Sequence, residues 1–247
     1  MPPSSSDGSA VRPVFFARTA WIMLVMVLSA FPLSYFSPLV TGSRPFHLTH
    51  HIHAALYFAW IGLYAWQTHL VVTGRTGRHR ELGLAGIAIS ALLLPLGVDT
   101  TLLAIQRRIE AGHAHPFDYA WYNLGDLASF TILMTASITA VTRHLPWHRR
   151  LTYGAAISLV GPAISRWYFG PWFVKVPEPG LFTEMAPNLT AQIFLIVLAI
   201  YDRRTLGRVH PATWWLIGTM VPLTVISPFV AYSEWWRSLA PLVLKVN

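Results

Sequence analysis

The 247-residue chain is 54% hydrophobic and only 11% charged, against about 25% charged residues in a soluble domain, so lipid must cover part of its surface and a soluble domain of any size is excluded. Its formal net charge of +8 falls in short Arg clusters between apolar segments, with no basic stripe interleaved with aromatics, which argues against nucleic acid as a partner. The chain has no cysteine, which excludes disulfides, thiolate zinc sites, iron–sulfur clusters and Cys nucleophiles.

The first residues are rich in Pro, Ser and Gly, and 1–13 reads as a disordered tail ahead of a single transmembrane domain over 14–247. The first apolar segment is 20–35. Phe31, Tyr35 and Phe36 crowd the place where a signal-peptide cleavage site would lie, so this helix is read as retained. Further apolar segments follow at 51–72, 84–105, 120–141, 152–169, 181–201 and 214–231. Each is close to the length that crosses ~30 Å of hydrocarbon. The sixth is interrupted in its first half by Glu184, Pro187 and Asn188. The expectation is an all-α integral membrane bundle of about seven transmembrane helices.

Loop charge sets the expected orientation. One set of helix ends carries 11 Arg, among them Arg12, Arg75, Arg80, Arg149 and Arg203; the other carries six Arg or Lys, including Arg44, Arg107, Lys175 and Arg237. The richer set faces the cytoplasm, which puts the N-terminus inside and the C-terminus outside. Trp147, Trp214 and Trp215 then fall at the inner interface, and Trp172, Trp235 and Trp236 at the outer one.

Ionisable groups are expensive in lipid and usually face a bundle interior. At ~1.5 Å per residue, Asp99, Asp126 and Arg166 fall at similar depth in the outer half, so an ion-paired cluster is expected there. On the second helix His53, Tyr57, Trp60, Tyr64 and Gln67 share one face. Tyr122, Asn123 and Asp126 repeat the pattern on the fourth helix, and Glu184, Asn188 and Gln192 on the sixth. The expected site is a polar pocket in the outer half with His53, Tyr57, Trp60, Gln67, Asp99, Asn123, Asp126, Arg166 and Glu184 as its candidates. The competing reading is a structural ion pair with packed aromatic seams.

The 11 histidines divide by side. His51 and His53, with Glu184 or Asp126, have the chemistry of a divalent metal site. At the inner ends, His79 and His148 are candidates for haem b ligation. Each begins a helix and is followed by Arg, which equally suits snorkelling to lipid phosphate.

Taken together, His51-x-His53, Trp60, Gln67, Gly74-Arg75, His79-Arg80, Leu82-Gly83, Asn123, Phe130, His148-Arg149-Arg150-Leu151, Pro162-Ala163, Arg166 and His210-Pro211-Ala212-Thr213 resemble a group of uncharacterised bacterial multi-pass inner-membrane proteins. The resemblance spans roughly residues 45 to 215 and implies a helical protein of the bacterial inner (plasma) membrane, with no assigned reaction. Three classes of function stay open. One is binding or handling of a small molecule in a polar His/Asp/Arg pocket. Another is a haem- or quinone-linked membrane redox protein. The third is an intramembrane enzyme on a lipid-soluble substrate. The bilayer is the expected partner.

Overall fold

A computed structural model describes residues 14–43, 45–169 and 181–246. The tail 1–13, with Arg12, and Arg44, Trp172 and Lys175 lie outside the described residues. Helix α1 is Val14–Ala30, and a π-helical turn, Pro32–Phe36, leads into the short α2, Ser37–Thr41. Then come α3 (Leu48–Val72), α4 (Thr76–Glu110), α5 (Asp118–Ala140), α6 (Leu145–Phe169), α7 (Leu181–Ala191), α8 (Ile193–Leu206), α9 (Pro211–Ala231) and α10 (Glu234–Leu244). Among the described residues there is no strand.

Three helices are long and apolar enough to cross a membrane: Thr76–Glu110, Glu184–Leu206 (which joins α7 to α8) and Pro211–Ala231. A fourth candidate is Val14–Ala30 with Ser34–Thr41, bent by 42°. The chain is an all-helical membrane protein. The break in the sixth apolar segment lies at Gln192, between α7 and α8, whereas Pro187 is accommodated inside α7.

Helix α6 is the hub. It packs on α1, α5, α7 and α9, and Tyr153, Ala155, Ala156, Val160, Ala163 and Ile164 on it have no exposed surface. Small residues allow this, because they let helix backbones approach closely without a hydrophobic driving force. A Cβ at Gly154 would collide with Leu216 of α9, and one at Gly97 of α4 with Leu127 of α5. Aromatic contacts fill the rest: Phe15 stacks on Tyr201 at 4.1 Å, and Trp60 meets Phe130 edge-on at 4.9 Å.

Two ends are fixed by histidine. His47 Nδ1 accepts the Thr49 N–H and His210 Nδ1 the Ala212 N–H, so each ring satisfies an orphan donor of a helix start. With Pro211 in the first turn, the run His210-Pro211-Ala212-Thr213 reads as a helix-start device.

The segment after α9 holds an element that the apolar segments did not predict. In α10, Trp236 and Ala240 pack on Ile105 and Ala120. Trp236 Nε1 donates to the Phe117 carbonyl at 3.0 Å, and Arg237 pairs with Asp118 at 3.0 Å. Trp235, Leu242 and Val243 face outward, the pattern of a helix lying along an interface.

Candidate functional site

The α3 stripe faces the bundle, and its N-terminal half is a packed seam. Tyr57 and Trp60 are buried. Tyr57 Oη donates to the Leu159 carbonyl, and Trp60 Nε1 to Ser90 Oγ at 2.7 Å. The one large cavity described below does not reach these two residues. His53 is half-buried and lies over Tyr57, ring to ring at 6.4 Å. His51 turns to the Tyr35 hydroxyl, 2.7 Å from its Nδ1. Residues two apart on a helix point roughly 200° apart, which keeps His51 and His53 from sharing a metal. Among the described residues no group of three or more His, Asp or Glu is placed to hold one.

The expected outer ion cluster is not assembled. Arg166 donates to the Pro162 carbonyl of its own helix and lies 4.2 Å over the Phe31 ring. The ion pairs among the described residues are Arg150–Asp202, Arg237–Asp118 and Arg237–Glu234; none joins Arg166 to Asp99 or Asp126. For Asp99 the physical reason is facing. Helix α4 packs through Ser90, Leu93, Gly97, Thr101 and Ile105, and Asp99, two residues from Gly97, projects from the exposed side. Asn123 is likewise exposed on α5. Glu184 is buried, but it faces Tyr232 and lies within electrostatic range of Arg108 and Asp118, in a separate cluster near α10.

Asp126 instead faces a small polar chamber of about 20 Å³ with Ser129, Ser158, Asn188, Gln192 and Thr224. Four spans, α5, α6, α7–α8 and α9, supply these groups.

The large cavity, about 640 Å³, lies at the Arg-rich helix ends. Its walls come from α1 (Phe16), the end of α3 (Tyr64, Gln67, Thr68, Val71), the start of α4 (Thr76, His79, Arg80), the end of α5 (Val141, Thr142) and the start of α6 (Leu145, His148, Arg149, Thr152). Arg80 and Arg149 are exposed at its mouth; His79 and His148 are half-buried. His148 Nδ1 lies 2.8 Å from Ser137 Oγ and 3.1 Å from the Ser137 carbonyl, and donates to the carbonyl in the tautomer that carries the proton on Nδ1. Gln67 Nε2 donates to the His79 carbonyl at 3.0 Å and ties α3 to α4. Behind the wall, Tyr64 Oη and Gln67 Oε1 are buried with no hydrogen-bond partner among the described residues, while the His79 ring meets the Gln67 backbone. Native structures leave few such groups, and each calls for a partner of its own.

The structure thus brings Gln67, His79 and His148 to one cavity and Asp126 to another, and leaves Asp99, Asn123 and Glu184 apart. Sequence reading passed over Tyr64 as a wall residue, Ser137 behind His148, and the pair Arg150–Asp202. Asp202 is fully buried, and Arg150, Thr213 and the His210 N–H all donate to it. Its one visible signal was a lone acid followed by Arg203 and Arg204.

Comparison with protein-family models, with curated proteins and with solved structures gave no match.

Proposed function

We propose that this is a seven-span protein of the bacterial inner membrane, with its N-terminus in the cytoplasm and its C-terminus outside, that binds a small, largely apolar molecule in the cavity between His79 and His148. The 11-to-six charge imbalance supports the orientation, and the resemblance to bacterial multi-pass membrane proteins supports the location. One observation carries the binding reading: Tyr64 and Gln67, whose hydroxyl and carbonyl oxygens are buried without partners among the described residues, line a single cavity of about 640 Å³ together with His79 and His148. That volume suits a small ligand, and apolar walls with a few polar atoms are how such sites are built. Arg80 and Arg149 at the mouth favour a ligand with an anionic end.

The test is mass spectrometry of what co-purifies with the protein in mild detergent. One small molecule should be enriched over a Thr68→Trp variant, whose indole takes up part of the cavity. Equal contents in the two proteins would sink the reading.

A second reading rests on His148. Its Nδ1 lies against the Ser137 carbonyl and hydroxyl, and in the Nδ1–H tautomer a bond to the carbonyl is the arrangement that orients a metal-ligating imidazole; His79 lines the same cavity from another helix. These two residues would hold a haem b as axial ligands. An absorbance spectrum of the purified protein separates the readings: a Soret band lost in His148→Ala selects haem, and its absence from fully folded protein leaves the small-molecule site.

A further inference from the structure

The polar chamber at Asp126 has no part in the large cavity, and its chemistry is different. It has one carboxylate and no histidine. Its remaining polar groups are the amides of Asn188 and Gln192 and the hydroxyls of Ser129, Ser158 and Thr224. Among the described residues no hydrogen bond or ion pair engages the Asp126 carboxylate, and Gln192 Oε1 is buried without a partner although the residue is only 7% exposed. Its Nε2 is committed to α9, donating to the Met220 carbonyl at 3.1 Å and to Thr224 Oγ1 at 2.6 Å. The Ser158 hydroxyl donates to the Ala155 carbonyl at 2.8 Å, which leaves its lone pairs to accept a ligand.

The backbone is arranged around this chamber. The span Glu184–Leu206 is continuous apart from a one-residue irregularity at Gln192, where α7 gives way to α8. On the facing helix, Gly161 leaves the space that Asn188 Oδ1 occupies; a Cβ there would collide with it. Hard oxygen donors suit hard cations. A single carboxylate balances one positive charge, and no second acid or histidine lines the chamber. A water-sized occupant needs ~10–15 Å³, so about 20 Å³ has room for one small dehydrated species.

We propose that this chamber binds one monovalent cation of sodium size, with the Asp126 carboxylate as its counter-charge and the side-chain oxygens of Asn188, Gln192, Ser129 and Ser158 as neutral ligands. The cation offsets the cost of holding a carboxylate about 12 Å down helix α5. Occupancy ties α5, α6 and the α7–α8 span together, so the bound state is the more stable one.

The test is thermal unfolding of the whole protein in detergent, in sodium, lithium, potassium or choline chloride at constant ionic strength. Sodium should raise the midpoint over choline in a saturable way. Asp126→Asn should abolish the response, Gly161→Ala should weaken its apparent affinity by about tenfold or more through Asn188, and Asp99→Asn, on the exposed face of α4, should leave it intact. Equal midpoints in sodium and choline would overturn the proposal and assign the chamber to a lone water. So would a sodium response that survives Asp126→Asn. Should that variant fail to fold, radioactive sodium binding to the wild-type protein decides alone: about one saturable site per chain upholds the proposal, and none refutes it.

Discussion

Arg150 of α6 and Asp202 of α8 form a buried ion pair, with side-chain exposures of 6% and 0%. Asp202 also accepts from Thr213 Oγ1 and from the His210 N–H at 3.1 Å, and Arg150 donates to the Pro146 carbonyl at 2.9 Å. A buried pair with its remaining donors and acceptors satisfied survives its desolvation cost, whereas one partner left alone does not. Asp202→Ala should therefore cost about 3–5 kcal/mol, seen as a lowered unfolding midpoint in detergent. Replacing both residues, Arg150→Met with Asp202→Leu, should recover much of that loss. A single substitution that leaves the midpoint unchanged would show that the pair does not hold α6 to α8.

His210 adds a pH dependence. To cap α9 its Nδ1 must accept from the Ala212 N–H, 3.1 Å away, and so must be unprotonated. Burial first, and then the charge of Arg150, hold its pKa below the ordinary 6.5. As pH falls through about 6.5 the unfolded chain takes up this proton before the folded one does, so the stability present above that value declines toward the lower folded pKa. The midpoint should drop between about pH 7.5 and about pH 5, and by less in His210→Asn, which keeps a capping side chain without a titrating ring. An equal drop in that variant would assign the effect to other histidines.

The C-terminal helix should be held by Trp236 and Arg237. Trp236→Ala removes both the indole packed on Ile105 and the hydrogen bond to the Phe117 carbonyl, at a cost of about 3 kcal/mol to the docking of α10. Limited proteolysis should then cut before Glu234 much faster than in the parent. Unchanged cleavage would mean that the bilayer, not α5, retains this helix.

Much of this architecture was legible in the residues. The spacing of Tyr57, Trp60 and Tyr64 marks the inward face of α3, and all three are buried. His79 and His148, singled out at the Arg-rich ends, do share a cavity. What misled was depth. Counted along the apolar segments, Asp99, Asp126 and Arg166 fall at similar heights, but such a count carries no information about azimuth, and the facing of α4 depends on where α3 and α5 come to lie. The partners of Tyr57 and Trp60, the Leu159 carbonyl and Ser90, lie on α6 and α4. No local spacing announces them. Helix α10 was hidden by its own Pro241 and by its shortness, although Ser233 caps it through the Trp236 N–H.

The central claim is that the bundle holds a ligand cavity at its Arg-rich ends, below a sealed aromatic seam on α3. The absence of native cysteine makes single-cysteine labelling the most direct measurement of it. Tyr57→Cys, Ile61→Cys, Thr68→Cys and Val71→Cys would each be treated with a membrane-impermeant maleimide in detergent-purified protein. Rapid labelling at 68 and 71, which line the cavity, with protection at 57 and 61, which are buried, is the expected result. Labelling at 57 and 61 with protection at 68 and 71 would contradict it, and would return the site to the outer half of the bundle.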